Sequence, residues 1–160
     1  MTEEQGYRLN VGLIIVNDKG NLLLCKRKDS DNWQFPQGGI DLNEVPRDAA
    51  LRELYEEVGI QQNIVKDICK SDTWYKYDLP EGRIKKNFFK NMFKGQKQKW
   101  FMFELLQETE INFTIDKNQE FDDYMWCSYW YPLTAIVDFK KDVYRSVLNE
   151  FSPAYIKRFS

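Results

Sequence analysis

The sequence predicts an α/β domain, on three observations. Apolar, β-branched runs separated by turn residues recur along the chain, and the segment 38–60 is bounded as a helix by proline at its entry and glycine at its exit. The last part of the chain repeats apolar residues at helical spacing. With 160 residues and 42% hydrophobic content there is material for one ordinary core, so a single domain over 1–160 is expected.

Val11 to Val16 is apolar and β-branched, Asn17 to Asn21 is turn chemistry, and Leu22 to Cys25 is apolar again, which together predict a hairpin. Trp33 to Gln37 follows as a short strand ending at the pair Gly38–Gly39. Next comes the helix, with Pro46 suited to a first turn and Gly59 placed to end it in the left-handed conformation. Its inward stripe is Ala50, Leu54 and Val58, with Leu51 adjoining. Ile64 to Tyr77, Trp100 to Leu106 and Tyr124 to Tyr131 are expected as further strands. A helical turn from Pro132 to Ile136 and an amphipathic helix from Asp142 to Phe151 complete the set.

Chemistry concentrates on the first helix. Glu53, Glu56 and Glu57 lie three and four residues apart, so one face carries all three carboxylates. Two such charges about 5 Å apart cost roughly 3 kcal/mol at an effective dielectric near 20, and a divalent cation between them would remove that cost. Oxygen ligands of this kind suit Mg²⁺ or Mn²⁺. The plainer alternative is a solvated acidic face on which Arg52 pairs with Glu56 at i,i+4.

The stretch also fits Gly-x5-Glu-x7-Arg-Glu-U-x-Glu-Glu-x-Gly-U, with U aliphatic, from Gly38 and Glu44 through Arg52 and the glutamates to Gly59 and Ile60. Seven fixed identities make a chance match rarer than about 10⁻⁸ per starting point at average residue usage. This pattern is the Nudix box, and the chain resembles Nudix hydrolases across all of it. Gly38 and Gly39 would permit positive φ or close backbone approach in the loop before the helix.

Segments outside the box narrow the likeness. Gly6-Tyr7-Arg8, Trp33 through Ile40, Gly95-Gln96-Lys97-Gln98-Lys99-Trp100-Phe101, Glu120-Phe121-Asp122 and Trp126 through Pro132 are similar to bacterial RNA pyrophosphohydrolases, a likeness spanning essentially the whole chain. Plant-type and bacterial dinucleoside polyphosphate hydrolases share the signature, and Tyr77, 17 residues beyond the box, resembles their marker aromatic.

The resemblance implies an α/β/α sandwich with a mixed sheet flanked by helices, and Mg²⁺-dependent hydrolysis of a nucleoside diphosphate linked to another group. Glu53, Glu56, Glu57 and Glu120, with the Gly38 backbone, would hold the metal. One of Glu53, Glu57 and Glu120 would be the general base, and Arg52 would orient the glutamates. Arg8 and Arg27 would meet phosphates, although either could be a surface ion pair. Gln37, Lys97 and Gln98 would lie near the polyphosphate path, and Tyr77, Val137 and Phe139 would sandwich a base. Val137 and Phe139 could equally be core residues following the Pro132 turn.

The expected substrates are 5′-triphosphorylated RNA, whose pyrophosphate release would initiate messenger decay, or dinucleoside polyphosphates. A noncatalytic nucleotide-binding module is the third reading, disfavoured because every metal-binding glutamate is present. The interval Gly82 to Phe103 carries no acidic residue, and Arg83, Lys85, Lys86, Lys90, Lys94, Lys97 and Lys99 alternate there with Phe88, Phe89, Phe93 and Trp100. Such a segment can hold phosphates and stack bases, or it can be a solvated loop whose phenylalanines cap the core.

Other classes are set aside by composition. The chain has no histidine, which removes Ser-His and Cys-His catalysis. Cys25, Cys69 and Cys127 are far apart and odd in number, so they are expected as buried free thiols. A net charge of −2 gives no bulk attraction to nucleic acid, and any polyanion must be held locally. No stretch approaches the length of a membrane span, and a monomeric cytoplasmic enzyme without membrane or DNA partners is expected.

Overall fold

A computed structural model describes residues 3–80 and 93–160. The chain forms β1 (Glu3–Glu4), β2 (Tyr7–Val16), β3 (Leu22–Arg27), β4 (Trp33–Gln34), β5 (Gln37–Gly39), α1 (Pro46–Val58), β6 (Val65–Lys70), β7 (Tyr75–Asp78), β8 (Gly95–Leu105), β9 (Phe121–Cys127), α2 (Pro132–Ala135) and α3 (Asp138–Phe159).

The strands make one mixed sheet in the order β4-β3-β2-β8-β6, with β1 and β5 also on β2, β7 on β8 and β9 on β3. Its centre is the parallel pairing of β2 with β8, in register from Tyr7↔Gly95 to Val16↔Glu104. Alternation along both strands sorts their side chains onto two faces. Ile14, Val16, Trp100 and Met102 pack beneath α3, against Val143, Tyr144, Val147 and Phe151. Val11, Leu13, Ile15, Phe101 and Phe103 pack beneath α1, against Ala49, Ala50, Leu54 and Val58. Two helices on opposite faces of a mixed sheet make the expected sandwich.

The hairpin and both boundaries of α1 stand where the sequence puts them. Pro46 opens the helix, and Gly59 closes it at φ 74° with its N–H on the carbonyls of the last turn. Leu51 packs at the margin of that core.

Several elements differ from expectation: β8 starts at Gly95, before Trp100, and the strand expected over Tyr124 to Tyr131 runs instead from Phe121 to Cys127 and gives way to a turn. Trp33 to Gln37 is two short strands, because Pro36 has no N–H to continue a ladder and Phe35 N–H turns instead to donate to the Tyr144 hydroxyl at 2.9 Å. Ile64 to Tyr77 divides into β6 and β7, both antiparallel to β8, with Ser71 to Trp74 between them. The last helix is longer than its apolar repeat and continues through Pro153 to Phe159. Tertiary contacts hold the added turns: the Tyr155 hydroxyl donates to the Gly20 carbonyl, Arg158 pairs with Glu104, and the Tyr155 ring packs on Tyr129.

Cys25 and Cys127 are buried free thiols, whereas Cys69 is half-buried near the sheet margin. The basic, aromatic interval expected from Gly82 onward falls largely outside the described residues, Arg83, Lys85, Lys86, Phe88, Phe89 and Lys90 included. Among the described residues no helix is long and apolar enough to cross a membrane.

Candidate active site

A cleft of about 680 Å³ opens beside the β2–β8 pair, where β5, α1, β7, the start of β9 and the start of α3 converge. Its walls include Arg8, Arg27, Gln37, Gly38, Glu53, Glu57, Tyr77, Glu120, Val137 and Phe139, which come from seven separate stretches of sequence. Glu56, Arg52, Lys97 and Gln98 do not line it.

Helical geometry separates the three carboxylates. At 100° per residue, Glu57 stands about 40° to one side of Glu53 and Glu56 about 60° to the other. Glu53 and Glu57 therefore turn into the cleft, only 7% and 8% exposed, while Glu56 turns toward Arg52. The Arg52 Nη1 donates to Glu53 Oε1 at 2.9 Å and to Glu56 Oε2 at 3.1 Å. Its Nε and Nη2 make a two-pronged contact to Glu44 at 2.9 Å each, and Nη2 also reaches the Gly39 carbonyl at 2.8 Å. One guanidinium thus ties the helix to the loop before it. The Glu44 carboxylate, bonded to Arg52, is held below its ordinary pKa.

The glycine pair serves close approach, since positive φ among glycines occurs only at Gly6, Gly20 and Gly59 among the described residues. A Cβ on Gly38 would stand 1.9 Å from the Glu53 carboxyl carbon, and one on Gly39 would stand 2.5 Å from Arg8 Nη2. Glycine at both positions lets an acid and a base lie flat against the backbone.

Burial and mutual repulsion act strongly on the acidic pair. Burial pushes the Glu57 carboxyl up to about 9, with the nearby charges of Glu53 and Glu120 adding to it. Burial raises Glu53 as well, to about 7, against the opposing pull of Arg52. Glu120 faces them from the start of β9, its Oε2 lying 3.7 Å from Arg27 Nη2. Asp116, which the sequence reading missed, adds negative charge on the same side.

As the side chains stand, no three acidic or cysteine groups among the described residues close a ligand shell. Arg52 draws Glu56 away. The donor set of Glu53, Glu57 and Glu120 is nonetheless all oxygen, and burial raises the pKa of two of its members, a cost that a cation beside them would relieve. That chemistry fits a hard divalent cation.

The opposite wall is basic and aromatic. Arg8 Nε is buried without a hydrogen-bond partner, and burial lowers the Arg8 pKa despite the charges of Glu53 and Glu120 nearby. An unpaired buried guanidinium N–H is costly unless an anion meets it. Tyr77 and Phe139 touch, with ring centroids 5.7 Å apart and planes tilted by 49°. They leave no slot for a base between them, because α3 begins at Asp138 and brings Phe139 directly onto β7. A base would stack on an outer face, and Val137 and Phe139 each divide their surface between the cleft and the core.

Alternation also decides the fate of the β8 residues. Lys97 lies on the face opposite the cleft, with its Nζ 6.0 Å from the Trp74 ring centre. Gln98 faces the cleft side but is buried behind it, donating to Asn10 Oδ1 at 2.8 Å and to Gln37 Oε1 at 3.2 Å. Gln37 and the Tyr77 hydroxyl both donate to Gln96 Oε1, at 3.1 and 2.8 Å. An amide ladder therefore sets the cleft floor. Gln96, quoted in the sequence only as part of a resembling segment, and Lys140, not singled out there, complete that wall, and Lys140 Nζ sits 3.2 Å from Gln34 Oε1. Two-residue alternation from Gln98 could have found Gln96; no local signal marks Lys140.

A family model describing a NUDIX domain matches residues 6–150. An RNA pyrophosphohydrolase of Vibrio vulnificus (strain YJ016) is 47% identical over 153 residues, covering 95% of this chain and 88% of that protein. In fold the chain is similar to the E. coli dihydroneopterin triphosphate pyrophosphohydrolase, with TM-score 0.71, 18% identity and coverage of 90% and 98%. It is also similar to a C. elegans Ap4A hydrolase binary complex, with TM-score 0.66, 18% identity and coverage of 91% and 98%. The match over residues 6–150 and the near-full-length identity place this chain in the family of the NUDIX hydrolases.

Proposed function

We propose that this protein hydrolyses the 5′-triphosphate end of RNA to a 5′-monophosphate and pyrophosphate, with Mg²⁺ as its cation, and that it takes dinucleoside polyphosphates as additional substrates. The observation that carries this reading is one cleft with a buried carboxylate pair on one wall and, on the other, a half-buried arginine whose buried Nε has no hydrogen-bond partner, beside aromatic rings. Likeness to an RNA pyrophosphohydrolase over nearly the whole chain supports the choice of RNA.

Glu53, Glu57 and Glu120 would hold the cation, which supplies neutralisation of polyphosphate charge and a more acidic water. Arg8 and Arg27 grip phosphate oxygens with planar, charge-assisted hydrogen bonds. Arg52 acts through others, fixing the Glu53 rotamer while anchoring Glu44 and the Gly39 carbonyl. A water oxygen attacks phosphorus as its proton passes to a cleft carboxylate. The P–O–P bond breaks, and pyrophosphate departs with the bonding electron pair. The Tyr77 and Phe139 rings offer a stacking surface worth about 1 to 3 kcal/mol per base.

The test is turnover on a short 5′-triphosphorylated RNA and on diadenosine tetraphosphate, with Mg²⁺ and with chelator, identifying the phosphate products. Mg²⁺-dependent pyrophosphate release from RNA is expected. Activity confined to the dinucleotide would overturn the RNA assignment, and equal rates in chelator would overturn the role given to the cation.

A further inference from the structure

The sheet face turned away from the cleft carries a band of lysines on aromatic supports that the proposed reaction does not use. Lys76 on β7 and Lys97 on β8 are directly opposed in antiparallel register, where like charges destabilise a sheet. Lys76 Nζ and Lys94 Nζ lie 5.2 and 4.9 Å from the Tyr7 ring centre. Lys97 Nζ and Lys99 Nζ lie 6.0 and 5.8 Å from that of Trp74. Rings at these distances hold ammonium groups in place.

The band begins at the cleft rim, since Lys94 stands between Phe93 and Gly95, which both line the cleft. It ends at a second groove of about 450 Å³, walled by Val45, Pro46, Ile68 and Phe101 and edged by Lys70 and Lys99. The six steps along β8 from Gly95 to Phe101 give it a length of about 20 Å at about 3.3 Å each. Two bordering acids are committed elsewhere, Asp67 to Arg47 and Asp78 to the Tyr7 hydroxyl, while Asp72 stays exposed beyond Lys99.

We propose that this face is an exosite for the single-stranded body of the RNA whose 5′ end occupies the cleft. Lysines meet successive phosphates, and bases lie against Trp74 and the apolar floor of the second groove. On a chain of net charge −2, local concentration of lysine is what would attract a polyanion, and cations interleaved with aromatic surface are the chemistry of single-strand binding. The inference rests on RNA being the substrate.

The experiment compares the wild-type protein with Lys76→Glu/Lys99→Glu, using a triphosphorylated dinucleotide, a triphosphorylated single-stranded 12-mer and diadenosine tetraphosphate, alongside binding of a 5′-hydroxyl 12-mer. The variant should raise KM for the 12-mer about tenfold and leave the two small substrates unchanged. The salt slope of 12-mer binding should fall by about 1.4, two phosphate contacts at about 0.7 each. Equal KM for both RNA lengths in the wild type, or an unaltered salt slope in the variant, would overturn the exosite while leaving RNA pyrophosphohydrolysis intact. Lysine-dependent binding of the 5′-hydroxyl 12-mer without pyrophosphate release from any RNA would support the face and sink the catalytic reading. Polyglutamate competing as well as RNA of equal charge would reassign the face to an acidic peptide and overturn the proposal.

Discussion

Gly38→Ala separates placement of the acid from stability of the fold. The added Cβ would lie 1.9 Å from Glu53 Cδ and 2.2 and 2.3 Å from its oxygens. Restoring an ordinary contact of about 3.4 Å means moving the Glu53 carboxylate by about 1.5 Å, and a misplacement of this order costs about 10²-fold in rate, or about 2.7 kcal/mol of barrier. Gly38 does not have positive φ, so alanine suits its backbone and even gains about 0.4 to 1 kcal/mol through the unfolded state. The expected result is a hundredfold loss in turnover on triphosphorylated RNA, weaker Mg²⁺ binding by calorimetry, and a Tm within a few degrees of wild type. Shortening the acid in Gly38→Ala/Glu53→Asp withdraws the carboxylate by one methylene and should recover part of the metal affinity. A Gly38→Ala protein within threefold of wild-type turnover would refute the argument that glycine is there to admit Glu53.

Three further outcomes follow from the same cleft. In the cation-free protein the folded state holds protons on Glu53 and Glu57 that the unfolded chain releases near 4.5, so their stabilising protonation is complete below about pH 4.5 and lost as pH rises through about 7 and about 9. Glu57→Gln should therefore melt increasingly above wild type from about pH 5 to about pH 9 in chelator, and a constant Tm difference would contradict the buried pair. Arg8→Ala should raise KM for triphosphorylated RNA about tenfold to a hundredfold without lowering urea stability, because Arg8 Nε has no partner to lose; a stability loss above about 2 kcal/mol would mean the side chain is structural. Arg52→Lys keeps the charge but forfeits the planar fork, so half-saturation by Mg²⁺ should rise about tenfold, and an unchanged metal dependence would remove Arg52 from its orienting role.

The sequence by itself determined the local and periodic features: α1 with its Pro46 entry and Gly59 exit, the first hairpin, the carboxylates on one helix and the family likeness. These rest on φ preferences, turn chemistry and spacing, which neighbouring residues dictate. It also placed Arg8, Arg27, Tyr77 and Glu120 among the candidates, through the resemblance and not through any local rule. Tertiary structure decided the rest. It fixed Arg52 between the glutamates, bonded to both Glu53 and Glu56, because Glu44 and the Gly39 carbonyl pin the guanidinium from outside the helix. It turned Lys97 away from the cleft and Gln96 into it, because the register of β8 against β2 fixes which alternate residues face which side. It brought Lys140 beside Gln34, 106 positions earlier, and Asp116 near Glu57, far earlier in the chain, where no local signal could place them. Pairing register and the packing of α3 are long-range choices, made by burying side chains distant in sequence, and they alone turned a set of charged residues into a cleft with two unlike walls.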